Sequence, residues 1–188
     1  MHDIEPYEGW RTLYKAEEDR RSPFWGRTYS EYECSNTIYG YYIHPQWDDF
    51  GSGTLYIKLI YADYAKGFCF IELIGEWNDA VNNDIMFLKR DFIDLLIEKG
   101  IHKFMLIGEH VLNAFPDEDD YYAEWADDIE DGWVCLINFQ PHVLEEIGNY
   151  GMKNYLNWGA ELNSLNWRGK NPEIVFEAVS RLLHTRLG

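Results

Sequence analysis

Thr54–Tyr64 reads TLYIKLIYADY, Ala65–Gly67 reads AKG, and Phe68–Ile74 reads FCFIELI. These twenty-one residues decide the fold class. The first run is dense in β-branched and aromatic residues, and Leu55, Ile57, Leu59 and Tyr61 alternate along it, the period of a strand with one buried face. The second run is apolar apart from Glu72. The short connector between them predicts a β-hairpin.

Downstream, Asn78 or Asp79 can cap a helix, because a side-chain oxygen there accepts from free N–H groups of the first turn. Ile85, Leu88, Phe92, Leu95 and Leu96 keep helical spacing as far as Gly100, a natural stop. Lys103–Ile107 (KFMLI) is continuously apolar, as strands buried on both faces of a parallel sheet are. Pro116 opens a second helical stretch with Tyr122, Trp125, Ala126 and Ile129 as its stripe, closed by Asp131-Gly132. Trp133–Phe139 reads as a strand. Pro141 suits the first turn of a third helix, through about Ile147. A short strand near Tyr155–Trp158 and a polar loop over Asn163–Pro172 lead to a last helix carrying Ile174, Val175, Ala178, Val179, Leu182 and Leu183. The order after residue 53 is β-β-α-β-α-β-α-(β)-α: a mixed α/β sheet that starts with a hairpin and continues through right-handed βαβ crossovers.

Residues 1–50 differ in composition. They are rich in Tyr, Trp, Arg and Glu and poor in aliphatics, with a short helix expected over Glu8–Arg20 and a strand over Thr37–Ile43. This gives two parts: an aromatic-rich extension, 1–50, packed on an α/β core, 51–188. Trp10, Trp25, Tyr29, Tyr32, Tyr39, Tyr41, Tyr42 and Trp47 crowd the extension. They serve either to glue it to the sheet or to form a partner or self-association surface, since Tyr and Trp join a large apolar area to a polar tip.

Acidic residues number 33 against 16 basic ones, a formal charge of −17. Nucleic acid and anionic membranes need a basic footprint, so neither is expected as a partner. Aromatics at 17% exclude an acidic disordered chain. The start, MHDIEPYEGW, has no apolar run after a basic segment, and no stretch has the length of a membrane helix, so a cytoplasmic protein is expected. Three cysteines, Cys34, Cys69 and Cys135, without C-x-x-C spacing predict neither a disulfide scaffold nor a zinc knuckle.

Chemistry-bearing patterns are sparse. G-x-S-x-G, H-E-x-x-H, G-x-x-x-x-G-K-[ST] and G-x-G-x-x-G are all absent, so no cofactor and no metal centre are expected. Two groups remain. Gly75-Glu76 and Gly108-Glu109 each follow an expected strand. If those strands are parallel neighbours, Glu76, Asp79, Glu109 and His110 lie at the carboxyl edge, where open α/β sheets bind ligands. There they would bind a small ligand or perform acid–base chemistry, or else serve the helix N-terminus and a plain loop. The second group is Asp117–Asp131, with nine carboxylates in fifteen residues. It reads as a solvated helix face, as a docking surface for a basic partner through Asp117, Glu118, Asp119 and Asp120, or as a cation site. An EF-hand loop is excluded because no Gly precedes Gly132.

The element order resembles the STAS domain of anti-sigma factor antagonists and of the cytoplasmic tails of sulfate transporters. Ile74-Gly75-Glu76-Trp77 resembles that family's strand followed by Gly-Glu-Leu-Asp. Val143-Leu144-Glu145-Glu146-Ile147-Gly148-Asn149-Tyr150-Gly151-Met152 resembles its third helix and turn. The resemblance covers about residues 54–187 and implies a STAS-like fold with a regulatory, non-catalytic role in protein–protein contacts. It also implies a phosphorylated Ser at the start of the second helix. Here that place holds Phe115-Pro116-Asp117-Glu118-Asp119-Asp120, with no hydroxyl before Tyr121, so the switch does not carry over. The expected function is a cytoplasmic interaction module whose partner is a protein with a basic patch. The alternative is a small-ligand binder or enzyme at the carboxyl edge.

Overall fold

The computed structural model describes residues 3–118 and 120–187. Strands β1 (Thr37–Ile38) and β2 (Tyr41–Tyr42) make a small hairpin. Strands β3 (Leu55–Asp63), β4 (Phe68–Asn78), β5 (Lys103–Phe115), β6 (Trp133–Ile137) and β7 (Leu156–Asn157) make a five-stranded sheet in sequential order. β3 and β4 pair antiparallel, and β4, β5, β6 and β7 run parallel. The helices are α1 (Asp79–Asn82), α2 (Asp84–Phe87), α3 (Asp94–Ile97), α4 (Asp120–Asp128), α5 (Pro141–Asn149) and α6 (Pro172–Leu187). The mixed α/β architecture read from the sequence is the one observed.

Alternation along the strands builds the core on both faces. Cys69, Ile71 and Leu73 of β4, Phe104 and Leu106 of β5, and Val134 and Leu136 of β6 face one side, where α2–α3, α4 and α5 pack. Phe68 and Phe70, Met105 and Ile107, and Cys135 and Ile137 face the other, under α6, Trp10 and Trp167. Strands covered on both sides need apolar residues at every position, which is why KFMLI and WVCLI lack a polar alternate.

Four local expectations give way to tertiary constraints. Tyr61 does not share a face with Leu59: a bulge at Ile60 breaks the register, and Tyr61 pairs with Phe70 on the opposite side. The helical stripe is also rephased. A left-handed Asn83 separates α1 from α2, and a widened π turn over Leu88–Ile93 carries Lys89 inside. In consequence Ile93 is buried and Leu95 is exposed. Glu8–Arg20 forms successive turns in place of a helix, pinned where the Trp10 indole donates to the Lys170 carbonyl at 2.7 Å. Thr37–Ile43 folds into the β1–β2 hairpin, because Tyr39 and Gly40 both take positive φ.

Aromatic residues of the extension pack on the sheet. Trp10 meets Phe70, Trp167 and Tyr61 edge-on, with ring centroids 4.9, 5.3 and 6.1 Å apart. The Trp47 indole donates to the Ile4 carbonyl at 2.7 Å. Among the described residues one antiparallel bridge, Asp48 to Ile57, links the backbone of the extension to the sheet. Beside that bridge Asp48 is buried and accepts from Arg27 and Tyr29, while Lys58 Nζ stands 3.2 Å from its second oxygen. Burial pulls the Lys58 pKa down against the pull of Asp48. Among the described residues no helix is long and apolar enough to cross a membrane.

One glycine is indispensable to the register. Gly75 lies within β4 at φ +114°, where the strand slips against β5, and a Cβ there would stand 2.1 Å from the Thr54 carbonyl oxygen. Backbone cannot yield as a flexible side chain can. Gly75→Ala is expected to cost about 3 kcal/mol in urea melts of the full chain. A loss under about 0.5 kcal/mol, the range of an ordinary surface change, would show that the close approach is not required.

Candidate functional site

The chain leaves β4 into α1 through a network of buried acids. The Asn78 side chain caps α1 by accepting from the Val81 N–H at 3.0 Å. Asp79 turns inward. It accepts from the Trp77 indole at 2.9 Å, the Ile85 N–H at 2.9 Å and the Tyr122 hydroxyl at 2.7 Å. Burial raises its pKa to about 6 against those three donors. Asp84 is buried beside it and accepts from the Asn78 N–H at 2.7 Å. These carboxylates fasten the β4–α1 corner to α4, because Tyr122 belongs to that helix.

The acidic tract divides in two. Two of its later members, Glu124 and Asp128, are neutralised from the π turn. The Lys89 side chain is fully buried, contacts Asp94 and stands 2.7 Å from Asp128, and the Arg90 guanidinium grips Glu124. Burial opposes the Lys89 charge, yet Asp128 and Asp94 outweigh it and raise its pKa. The earlier members differ. Among the described residues no Lys or Arg pairs with Asp117, Glu118 or Asp120. Asp119 lies outside the described residues. Asp117, Glu118 and Asp120 line a cleft of about 300 Å³ together with Asp79, Asn83 and the strongly exposed Val81. All the charged residues lining this cleft are acidic, and it lies at the end where β4 leaves the sheet.

The other face of the sheet holds a separate cluster. Glu109 accepts from Asn138 Nδ2 and Trp167 Nε1, both at 2.9 Å, and from the Arg168 guanidinium. Burial presses its pKa up, but those donors outweigh burial and hold it below the ordinary value. Arg168 reaches on to Glu72, 3.5 Å away. Glu72, only 1% exposed, accepts from the Tyr7 N–H at 2.7 Å. Its pKa rises to about 7, chiefly through burial and with help from Glu109, against Tyr7 and Arg168. His110 is half-buried, and burial lowers its pKa.

The carboxyl-edge expectation is corrected in its premise. Gly75-Glu76 and Gly108-Glu109 do not follow strands: β4 runs on to Asn78 and β5 to Phe115, so both pairs lie inside them. Glu76 pairs with Asn113, and His110 pairs with Ile74. Asp79 sits with Trp77 and Tyr122 on the α4 side, whereas Glu109 sits with Trp167 on the α6 side. The structure thus brings Asp79 to Asp117, Glu118 and Asp120, and Glu109 to Glu72 and Arg168. Neither Glu72 nor Arg168 stood out in sequence. A lone Glu at a core position of FCFIELI was the available signal, since a buried carboxylate needs a donor. Among the described residues no cluster of His, Cys, Asp and Glu could hold a metal ion.

No family model and no curated protein matches the chain. Solved structures resemble it, among them the following two. The anti-sigma factor antagonist SpoIIAA in its unphosphorylated form is 12% identical, with a TM-score of 0.42 over 58% of this chain and 93% of that one. The Bacillus cell fate determinant SpoIIAA in its phosphorylated form is 13% identical, with a TM-score of 0.37 over 67% of this chain and 98% of that one.

The Glu72 shift gives a pH signature. A carboxyl whose folded pKa exceeds its unfolded one costs stability once ionised. That cost is nil below the ordinary range near 4.5, grows until pH reaches about 7, and is constant above. Glu72→Gln keeps an acceptor for Tyr7. It is expected to be more stable than wild type by up to about 3 kcal/mol at pH 8, with the difference vanishing near pH 4. Denaturant melts at several pH values measure this, and a pH-independent difference would refute the assignment.

Proposed function

We propose that the chain is a non-catalytic, regulatory interaction module of the cytoplasm that docks a basic segment of a protein partner. The observation that carries this reading is the division of the acidic tract. Glu124 and Asp128 are paired from within, while among the described residues Asp117, Glu118 and Asp120 have no cation partner and share a cleft with Asp79. Carboxylates left unpaired around a concavity attract a cationic side chain and speed its encounter. The exposed Val81 on the rim offers apolar surface for the aliphatic stem of a Lys or Arg. Asp119 falls in the same tract by sequence. The formal charge of −17 favours the same class of partner and disfavours nucleic acid and anionic membranes. The reading requires no cofactor.

The alternative, a small-ligand binder or enzyme at the carboxyl edge, needs Glu76, Asp79, Glu109 and His110 around one point. The separation of Asp79 from Glu109 across the sheet weighs against it.

An unbiased pull-down with the full chain tests the docking reading. A protein partner is expected to be captured at low salt and released as salt rises, because surface charge pairs are screened. Asp117→Asn, Glu118→Gln and Asp120→Asn together are expected to lower affinity about tenfold or more without a loss of melting temperature, from roughly 0.5 kcal/mol per exposed pair. A complex indifferent to salt, or an unaffected triple variant, would overturn the proposal.

A further inference from the structure

The rings of the extension fall into two sets. Trp10 and Trp47 are buried, whereas Tyr32, Tyr39, Tyr41 and Tyr42 are 89, 67, 67 and 57% exposed. The second set is not glue. Tyr39 and Gly40 form the tip of the β1–β2 hairpin, with φ of +50° and +79°. Asn or Gly takes that first position without strain, and Tyr does not. A strained residue that contributes nothing to the core points to a function for its side chain. The hairpin itself is held firmly. Ile38 is buried against Trp47, Tyr56 and Ile74, so the tyrosines project from a fixed base.

Next to the hairpin in the chain lies a cleft of about 400 Å³ whose lining includes Arg27, Tyr29, Glu33, Asn36, Asp48 and Asp49, the Arg27 guanidinium being already engaged by Asp48 and the Asp49 carbonyl. Tyr32 stands between two cleft residues in the chain, Ser30 and Glu33, and the hairpin starts one residue after Asn36. Asp48 is committed to Arg27, Tyr29 and Lys58. Glu33 and Asp49 are exposed.

We propose that the tyrosine hairpin and this cleft form a docking site for an arginine side chain displayed by the basic protein partner. A guanidinium stacks on aromatic faces while its planar fork of donors meets carboxylates, and Glu33, Asp49 and the exposed rings provide both. Charge selects the occupant. A second copy would also carry −17 and would bring further carboxylates against Glu31, Glu33 and Asp49, so self-association is disfavoured here. The inference rests on the docking reading above and adds a second contact surface with its own chemistry.

The test is fluorescence anisotropy of labelled nona-arginine and nona-lysine peptides with the full chain, at about 0.15 M salt to suppress long-range attraction. Nona-arginine is expected to bind several-fold tighter than nona-lysine, because Arg stacks and forks where Lys does not. Tyr39→Gly, Tyr41→Ser and Tyr42→Ser together are expected to weaken nona-arginine about tenfold and to erase the preference. Tyr39→Gly alone is expected to lower affinity while leaving the melting temperature unchanged or raised. Equal binding of the two peptides, or a triple variant that binds as wild type, overturns the site. A lower melting temperature for Tyr39→Gly also overturns it, by making the ring structural. If the Asp117, Glu118 and Asp120 variants abolish nona-arginine binding while the tyrosine variants do not, this site fails and the acidic cleft stands. If the tyrosine-dependent preference holds but no partner is captured from cells, the broader reading fails and the arginine site stands.

Discussion

The parallel pairing of β4 with β5 is the constraint on which the rest of the molecule depends. It runs from Phe68 opposite Lys103 to Asn78 opposite Phe115, well past the end of β6. A pair that long cannot remain regular, and its slips fall between Glu72 and Ile74 and between Gly75 and Glu76. Gly75 absorbs the second slip with a backbone that no other residue adopts easily. The overhang beyond β6 places Glu109 beside Asn138 and Arg168, and the end of β4 delivers Asp79 to α4. One backbone arrangement thereby sends the chain's carboxylates to two opposite faces.

Those carboxylates then follow different physics according to burial. Glu72, Asp79 and Asp84 are enclosed, and each is held by donors from the backbone or from Trp, Tyr and Arg side chains. Removing any of those donors would leave a buried acceptor unsatisfied, so these groups belong to the scaffold. Asp94, Glu124 and Asp128 are partly exposed and balance Lys89 and Arg90. A count of acidic residues overstates what an external cation could meet, since many of them are already engaged inside the molecule.

The extension illustrates the same sorting among aromatics. Trp10 fills a groove made by Phe70, Tyr61 and Trp167, and its indole closes a long-range hydrogen bond to Lys170. Tyr7 ties the same region to Glu72 and to the Gly169 N–H. The hairpin tyrosines stay exposed although they lie in the same compositional block. Composition marked the block as unusual, but the two behaviours separate only where a turn with two positive φ values lifts Tyr39, Tyr41 and Tyr42 off the body.

Periodicity was enough to read the β3–β4 hairpin, the buried β5 and β6, and the order of helices after them, because an apolar pattern of period two or about 3.6 is imposed by burial locally. A cap at Asn78 or Asp79 and the acidic run before α4 were legible for the same reason, each being a short-range effect; the structure assigns the cap to Asn78. Strand length was not. Nothing within Gly108–Phe115 says strand, and it becomes one because β4 lies alongside to complete its hydrogen bonds. The phase of the helix after Asn83 depended on drawing Lys89 between Asp94 and Asp128, a pairing across thirty-nine residues in the latter case. The neighbours of Asp79 and Glu109 depended on which face each strand residue took after its bulge. Such outcomes come from contacts between segments distant in the chain, and a local pattern carries no record of them.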